Sequence, residues 1–395
     1  MKLESIRVSG FKAIDRFSLR LEPNLTMLLG MNGAGKSSTL QLFSFIHHLA
    51  EGKPSRFFEE RGWNPKEMKF RSSASRSSLV KIDATFVSKI WGKIRWQISW
   101  GLNTGHLRSE RVTLYQEDED NWNDQLRFDY KKGGIAGRQE LPALRFEGSI
   151  LTAIEGKSSD EEANGVLSEL IAWLRCVQSL ELLSPTAMKA GTRISPENMG
   201  PRGERVAGFL ASLSIKQRAR VQNRVGQFYP LDQMETVRKR AGWIDLILSE
   251  RFKDFGSIQA AQMSDGFMRI LAFCALPELP DVSLVLLDEV EDGIQPHILG
   301  RLIELILSET KAQIIATTHS PVLANVVGTQ RLRLLIRDQD GRTAAVEAGR
   351  MPAFNDGSEF FGPGELWINT ELKVLEKQAR KLSEQDSQMS EDDED

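Results

Sequence analysis

The segment at residues 30–37 constrains the fold of this chain more than any other part of its sequence. It reads Gly-Met-Asn-Gly-Ala-Gly-Lys-Ser and fits the pattern G-x-x-x-x-G-K-[ST], in which glycines let the backbone wrap around phosphate groups with its N–H groups pointing inward. The pattern needs a strand before it and a helix after it. An apolar run at residues 25–29 predicts the strand, and residues 38–50 predict the helix. The sequence therefore predicts an α/β fold that closes around a phosphate-bearing ligand.

The same segment predicts the groups that contact a nucleotide and a metal ion. Lys36 is expected to reach the β- and γ-phosphates of ATP, and the hydroxyl of Ser37 to bind Mg²⁺. The predicted nucleotide-binding residues are Asn32, Gly33, Ala34, Gly35, Lys36, Ser37 and Ser38. The alternative is a glycine-rich turn without a ligand.

A second apolar strand is predicted at residues 283–287, and two acids follow it. Asp288 would stand at the end of the sheet, where a carboxylate can bind Mg²⁺ beside Ser37. Glu289 is a predicted catalytic residue, since a carboxylate there can polarise the attacking water. The alternative is a strand followed by a solvated acidic loop, because Glu291 and Asp292 continue the acidic run.

A third apolar strand is predicted before His319 and Ser320. Beside the acid-bearing strand, His319 would lie near the γ-phosphate, where it can sense that group and support the transition state. We therefore predict a catalytic role for His319. The alternative is a histidine that is only structural.

Residues 262–266 read Gln-Met-Ser-Asp-Gly and precede an apolar, helical run at residues 267–276. Ser264 can cap this helix, and the N-terminus of a helix is a ready anion site. Taken by itself, this pattern is equally compatible with a plain N-cap.

The composition excludes several classes of protein. The chain has 395 residues, a formal net charge of −3 and only two cysteines, Cys176 and Cys274. Two such distant cysteines support neither a disulfide framework nor a zinc site, which suits a reducing cytoplasm. No run approaches about 18 apolar residues, so we expect no membrane span and a cytoplasmic protein.

The rest of the sequence predicts secondary structure through its periodicity and its polar segments. Alternation at residues 79–100 predicts an antiparallel hairpin, whose tryptophans either pack in the core or stack on bases. Residues 101–150 favour loops and edge strands, and residues 160–183 and 203–250 favour helices. Asp338 and Asp340 are expected in a hairpin turn, and the polar tail at residues 383–395 is expected to be disordered.

Taken together, the four motifs in this order resemble those of the ABC ATPases, most closely the branch that contains SMC, RecF and OLD-type proteins. The resemblance identifies residues 263–266 with the signature motif and residues 291–296 with the D-loop, and it also covers residues 8–12. It implies that Ser264, Asp265 and Gly266 act in trans on a nucleotide held by a second copy of the chain, in a head-to-tail dimer that can belong to a larger oligomer. A glutamine for the Q-loop is not identified by the motif; Gln139 is one candidate.

The implied fold class is α/β: an ABC-ATPase head, which is a P-loop NTPase with a mixed-sheet core and an antiparallel β subdomain, plus a helical subdomain. Four segments are predicted. Residues 1–150 form an N-terminal ATPase lobe with the Walker A loop and the antiparallel β subdomain, and residues 151–260 form a helical insertion. Residues 261–350 form a C-terminal ATPase lobe, and residues 351–395 form a C-terminal segment with a disordered acidic tail.

Two functions follow from the resemblance. In the first, the chain is an ATP-driven switch that controls a separate protein effector, such as a toxin or nuclease. Residues 361–367 are similar to C-terminal segments of stand-alone bacterial ATPases of this branch, some of which work beside such an effector, often in phage defence. In the second, it is a DNA-repair or chromosome-associated ATPase that clamps DNA. The basic residues available for the second function are Lys66, Lys69, Arg71, Arg76, Arg202, Arg205, Lys216, Arg218, Arg220 and Arg224. Their alternative role is a solvated helix face.

Overall fold

The computed structural model describes residues 1–70, 78–116, 120–154, 160–193, 198–252, 256–356 and 358–392, with side chains as far as residue 386. Along these residues no helix combines the length and the apolar character needed to cross a lipid bilayer.

The strands are numbered along the chain. They are β1 (Lys2–Ser9), β2 (Phe17–Arg20), β3 (Leu25–Gly30), β4 (Leu79–Ser88), β5 (Gly92–Gly101), β6 (His106–Gln116), β7 (Asn121–Asp129), β8 (Gly133–Ala136), β9 (Gln139–Leu141), β10 (Val177–Leu180), β11 (Leu231–Arg238), β12 (Ile244–Glu250), β13 (Ile258–Gln259), β14 (Leu284–Leu287), β15 (Gln313–Thr318), β16 (Leu332–Arg337) and β17 (Thr343–Glu347).

The α-helices are numbered in the same way. They are α1 (Lys36–Ala50), α2 (Pro54–Arg61), α3 (Leu151–Ile154), α4 (Glu161–Arg175), α5 (Pro185–Met188), α6 (Val206–Ser212), α7 (Ile215–Val225), α8 (Asp265–Ala275), α9 (Pro296–Glu309), α10 (Pro321–Val327), α11 (Pro352–Asn355), α12 (Pro363–Asn369) and α13 (Leu372–Asp392).

A six-stranded sheet in the order β10-β14-β15-β3-β16-β17 forms the centre of the molecule. Its strands are parallel except for β17, which pairs antiparallel with β16. Alternate side chains of each strand point to opposite faces. Leu28 and Leu286 therefore belong to the core that contains α1, whereas Met27 and Val285 belong to the core that contains α8, α9 and α10. The sheet separates the helix that follows the phosphate loop from the helix that follows Ser264.

An antiparallel sheet in the order β2-β1-β4-β5-β6-β7-β8-β9 packs its apolar face on the core that contains α1. The predicted hairpin is confirmed, because β4 and β5 pair along their full length. Trp96 and Trp100 are fully buried in this core, so they pack there and offer no surface for bases.

The prediction of loops and edge strands for residues 101–150 was partly wrong: β9 is an edge strand and residues 142–150 form a loop, but β6 and β7 are interior strands of this sheet. A buried acid interrupts the apolar alternation of β6. Glu110 accepts hydrogen bonds from Trp96 Nε1 at 2.7 Å, Ser149 Oγ at 2.6 Å and Ile150 N at 2.8 Å. These donors make burial of the carboxyl group tolerable, and burial raises its pKa.

The helical interpretation of residues 160–183 and 203–250 was partly wrong. Residues 177–180 form β10 at the edge of the central sheet, and β11, β12 and β13 form a separate antiparallel sheet. A bulge between Leu231 and Gln233 lets both Leu231 and Met234 face the core. The resulting spacing of three residues imitates the period of a helix.

The tail expected to be disordered is helical as far as Asp392, while residues 393–395 lie outside the described part of the chain. Leu375 and Ala379 are buried, and Leu382 packs against the same core. Their spacing of four and three residues places them on one face of α13. Arg350 also binds Asp386 through two hydrogen bonds of 2.9 Å. The division of the chain into four segments stays a prediction.

Candidate nucleotide-binding site

Three neighbouring parallel strands place the predicted site residues at one edge of the central sheet. Leu287 of β14 pairs with Ala316 of β15, and Thr318 of β15 pairs with Leu29 of β3. The carboxyl ends of these strands therefore meet. The acids that follow β14, the histidine that follows β15 and the glycine-rich loop that follows β3 are brought together, as ligand sites of parallel α/β sheets usually are.

The loop that follows β3 has the backbone geometry that its glycines permit. Gly33 has φ 79° and Gly35 has φ 106°, both in the region that favours glycine. A Cβ atom added to Gly35 would lie 2.2 Å from Thr343 Oγ1, so this position also needs the absence of a side chain. The loop runs directly into α1, whose first N–H groups are free of intrahelical partners and can face an anion.

Lys36 is held inside this loop. Its Nζ donates to the carbonyl oxygens of Gly30 at 2.8 Å and Met31 at 3.1 Å. Burial lowers the pKa of Lys36, and the nearby carboxylates of Asp288 and Glu289 act against that shift. A buried ammonium group within a cradle of glycines fits a ligand that carries negatively charged oxygens.

The acids after β14 are held by a threonine that the sequence interpretation did not identify. Thr317 Oγ1 lies 2.5 Å from Asp288 Oδ1, to which it donates, and it accepts from the backbone N–H of Glu289 at 2.8 Å. Thr317 is fully buried at the end of β15. One hydroxyl group therefore holds the carboxylate of Asp288 and the backbone of Glu289.

Glu289 and His319 face each other across the strand ends. The distance from Glu289 Oε1 to His319 Nε2 is 3.8 Å, and their side chains are 55% and 34% exposed. Glu289 adopts φ 45°, which is uncommon for a residue with a side chain. Such a backbone conformation is frequent at functional sites, where the surrounding structure maintains it.

Glu291, which the sequence placed only in the D-loop, anchors the end of β15. One carboxylate oxygen accepts from the backbone N–H of His319 at 2.5 Å, and the other accepts from Thr318 Oγ1 at 2.9 Å. The position of His319 is thus set by an acid from the neighbouring strand end. The sequence contains one indication of this role, which is that Glu291 lies two residues after Glu289. From the sequence, Glu291 was interpreted only as part of an acidic run and of the D-loop.

Ser37 and Asp288 supply the oxygen donors that suit Mg²⁺. Ser37 is exposed in the first turn of α1. Over the described residues, no group of three or more histidine, cysteine, aspartate or glutamate side chains could hold a metal ion by itself. Because Ser37 and Asp288 provide only two oxygen donors, they fit a cation that is bound together with the phosphate oxygens of a ligand, as in other phosphate-loop proteins.

The predicted signature residues lie on the other side of the central sheet from α1. Ser264 is exposed and caps α8, because its Oγ accepts from Phe267 N at 3.2 Å. Asp265 Oδ1 lies 2.6 Å from Lys189 Nζ. A Cβ atom on Gly266 would lie 2.1 Å from the carbonyl oxygen of Gly293, so the start of α8 packs closely on the D-loop.

Two further contacts near the loop were not predicted. The turn between β16 and β17, where Asp338 and Asp340 lie as expected, also reaches the phosphate loop. Arg337 Nε donates to the carbonyl oxygen of Gly33 at 2.9 Å. On the other flank, Lys12 Nζ donates to Gln41 of α1 at 2.8 Å, and burial lowers the pKa of Lys12 to about 8. Gln139 lies in β9, at one end of the antiparallel sheet.

Two protein families match separate parts of the chain. The family described as "AAA ATPase domain" matches residues 1–164. The family described as "AAA domain, putative AbiEii toxin, Type IV TA system" matches residues 237–325. The first match contains the phosphate loop, and the second contains Ser264, both acids and His319.

Similar proteins include the "DNA replication and repair protein RecF" of Lactococcus lactis subsp. lactis (strain IL1403) and of Lactococcus lactis subsp. cremoris (strain MG1363). They are 26% and 27% identical to this chain over 116 residues. The match covers 29% of this chain and 30% of each relative, so the chain spans less than a third of the length of these relatives.

Solved structures of Smc heads share the fold. The SmcHead bound to the C-winged helix domain of ScpA has a TM-score of 0.55 and 12% identity, over 88% of this chain and 97% of that one. The Smc head domain with an extended coiled coil, derived from Pyrococcus furiosus and bound to the C-terminal domain of ScpA, has a TM-score of 0.50 and 12% identity, over 87% and 96%. The predicted ATPase-head fold is confirmed.

The threonine that holds both acids offers a test of the site's construction. In Thr317→Val, the Asp288 carboxylate and the Glu289 N–H lose their partner while the shape of the side chain is kept. We expect the free energy of unfolding to fall by about 1–3 kcal/mol, measured by urea denaturation. Thr317→Ser keeps the hydroxyl and should fall by less. A Thr317→Val variant that is as stable as the wild type would show that these hydrogen bonds do not stabilise the fold, and a larger loss in Thr317→Ser than in Thr317→Val would show that the methyl group contributes more than the hydroxyl.

Proposed function

We propose that this chain, an ABC-type ATPase of the SMC/RecF-like kind by its fold and its ATPase-domain sequence, binds ATP with Mg²⁺ and hydrolyses it. The observation that carries the proposal is the meeting of three parallel strand ends, which gathers Lys36, Asp288, Glu289 and His319 at one edge of the sheet. A cationic loop, a metal-binding carboxylate and a second, exposed acid are the parts that phosphoryl transfer to water requires.

Each residue has a distinct role in the proposed reaction. Lys36 exchanges its two carbonyl acceptors for phosphate oxygens when ATP enters the loop. Ser37 and Asp288 would hold Mg²⁺, which neutralises phosphate charge when it is bound. Glu289 accepts a proton from the attacking water. His319, oriented by Glu291, donates to the γ-phosphate and stabilises charge in the transition state.

Two substitutions separate nucleotide binding from hydrolysis. Lys36→Ala should abolish tight binding of ATP, because it removes the cation from the loop. Glu289→Gln should keep binding and lower the turnover number by about 10²–10⁴-fold, since it removes only the base. The measurements are titration with a fluorescent ATP analogue and the release of phosphate in the presence of Mg²⁺. Equal loss of binding in both variants would remove Glu289 from the catalytic role.

We also propose that two copies pair head to tail around ATP. Ser264 and Asp265 are exposed at the start of α8, a site that favours a phosphate group. The loop after β3 leads into α1, which packs on the opposite face of the central sheet from α8. A two-fold pair lets the α8 start of each copy close on the nucleotide of the other with the same surfaces. The γ-phosphate then favours the closed pair, and hydrolysis removes that contact.

Complementation tests the sharing of the site. A Lys36→Ala subunit and a Ser264→Arg subunit should each be inactive alone. Their mixed dimer has one composite site with both halves intact, so partial recovery of ATPase activity is expected on mixing. The control is to mix the Lys36→Ala subunit with itself in the same total amount. If mixed dimers form without recovered activity, each copy uses its own signature or both sites must be intact together.

The biological role that we propose is control of a separate protein effector, as in phage defence. Support comes from the family matched by residues 237–325, whose description names a toxin of a toxin–antitoxin system. A second support is an apolar surface that begins next to His319. Its exposed members on α10, α12 and the preceding loop are Val322, Val326, Phe360, Phe361 and Ile368. Since α10 starts two residues after His319, a partner on this surface lies close to the nucleotide site.

If an effector carries the toxic activity, the purified chain itself should not act on nucleic acid. We expect plasmid DNA to stay intact during incubation with the protein, ATP and either Mg²⁺ or Mn²⁺, as followed on an agarose gel. Asp288→Asn serves as a matched control for contaminating nucleases. Cleavage by the wild type that the Asp288→Asn variant lacks would contradict the proposal.

A second candidate function is clamping of DNA, which the matches to RecF favour. Two of the basic residues first considered for it are engaged with acids of the chain itself. Arg224 is buried between Glu278 and Glu309, and Arg220 also binds Glu278. Lys66 lies in a short 3₁₀ helix, while Arg71 and Arg76 lie outside the described residues. Arg220 and Arg224 are therefore not free to bind the phosphates of a nucleic acid.

A further inference from the structure

The hairpin of β11 and β12 ends in a short basic segment that the proposed function does not use. Residues 238–243 read Arg-Lys-Arg-Ala-Gly-Trp. The backbone N–H of Lys239 donates to the carbonyl oxygen of Trp243 at 2.7 Å, which closes the turn. Ala241 and Gly242 have φ 61° and 76°. This tight turn presents three consecutive basic side chains and one tryptophan at the end of the hairpin.

A second segment adds another cation to the same place. Thr192 and Ile244 exchange two backbone hydrogen bonds, of 3.1 Å and 2.8 Å. This pairing brings Arg193 against the hairpin, where its guanidinium lies 5.0 Å from the centre of the Trp243 ring. We name Arg193, Arg238, Lys239, Arg240 and Trp243 the tip patch.

Within the part of the chain that the structure describes, the tip patch has one ion pair with a carboxylate. All four of its basic side chains are exposed, and Lys239 forms an ion pair with Asp245. Over the described residues, Arg193, Arg238 and Arg240 form no ion pair with a carboxylate. Arg218 extends the basic surface along β11, since its Nη1 donates to Thr236 Oγ1 at 3.3 Å. In a chain with a net charge of −3, this local excess of positive charge marks a contact for an anionic partner.

Trp243 indicates which kind of anionic partner the tip patch binds. Its side chain is 40% exposed, although a large aromatic ring is normally buried when it serves only packing. Cations that bind phosphates, beside an aromatic ring on which a base can stack, are the combination that recognises unpaired nucleotides. In a duplex the faces of the bases are already stacked on their neighbours, so only the cations would contribute. We propose that the tip patch binds single-stranded nucleic acid.

The position of the tip patch connects it to the signature residues. The chain that carries Arg193 also carries Lys189, whose Nζ lies 2.6 Å from Asp265 Oδ1. The side chain of Asp245, beside Trp243, lies close to Gly191 of the same segment. A strand of nucleic acid on the patch would therefore rest on the segment that reaches the start of α8.

The test is direct binding, which needs no ATP hydrolysis. The probe is a fluorescently labelled oligothymidylate of about 20 nucleotides, long enough for one site of this kind, followed by anisotropy with the full chain. Arg238→Gln/Arg240→Gln should weaken binding by at least about tenfold and lower the slope of log K against log salt by about 1.4, since each phosphate contact contributes about 0.7. Arg238→Lys/Arg240→Lys should restore most of the affinity.

The control with the same change of charge is Lys373→Gln/Lys377→Gln, at exposed positions of α13. It should bind the probe like the wild type. All variants should unfold at the same urea concentration as the wild type, because each changes exposed side chains only. Binding by the Arg238/Arg240 variant that equals the binding of the wild type overturns the proposal.

The stacking part has its own test. Trp243→Ala should weaken binding to oligothymidylate by on the order of tenfold, whereas Trp243→Phe should keep most of it. A duplex of the same length should bind more weakly than the single strand and should not respond to Trp243→Ala. If polyglutamate competes as well as the oligonucleotide and Trp243→Ala has no effect, the tip patch is a contact for an acidic protein, and the proposal is wrong.

Discussion

The parallel pairing of β14, β15 and β3 is the constraint on which the rest of the site depends. Each strand is fully buried and, apart from Gln313 at the start of β15, consists of apolar or small residues, as a parallel sheet covered on both faces demands. Because the three strands point the same way, everything that follows them in the sequence is delivered to one edge. Residues more than 280 positions apart, such as Lys36 and His319, are thus brought to the same edge of the sheet without any specific long-range recognition between them.

The meeting of the three strand ends does not by itself fix the positions of the side chains that follow them. Hydrogen bonds between the end of β15 and the segment after β14 do this. Thr317 supplies one hydroxyl to Asp288 and to the backbone of Glu289. Glu291 supplies one carboxylate to Thr318 and to the backbone of His319. Each interaction crosses from β15 to the segment after β14, so the acid pair and the histidine hold each other in place. Buried networks of this kind are costly when one partner is lost, which ties the order of the site to the integrity of both strands.

The parts of the fold that could be predicted are those in which local pattern and tertiary role agree. The glycine-rich loop, the buried strands beside it and the hairpin of β4 and β5 read directly from the sequence. Prediction failed where a core position holds an unexpected residue or spacing. Glu110 hides the alternation of β6, and the bulge before Gln233 gives β11 the period of a helix. Thr317 and Glu291 were missed because their roles exist only between strands that are remote in sequence.

A continuous set of contacts leads from the candidate nucleotide-binding site to the tip patch. Glu291 holds His319, the D-loop that contains Glu291 packs through Gly293 on Gly266, and Asp265 binds Lys189 of the segment that reaches Arg193. Arg269 reinforces the middle of this path by binding Asp292 at 2.5 Å.

An unbroken series of contacts does not by itself couple two binding sites, because two ligands influence each other only if both favour the same state of one element. Both proposed ligands would act on the start of α8. The γ-phosphate held by a partner copy would contact it directly, and the nucleic acid would act through the segment of residues 189–193, which touches it. Closure on ATP that shifts Asp265 would act on Lys189 through the ion pair that joins the two side chains. If the two bindings are coupled, reciprocity then requires that nucleic acid on the tip patch changes the affinity for ATP by the same factor by which ATP changes the affinity for nucleic acid.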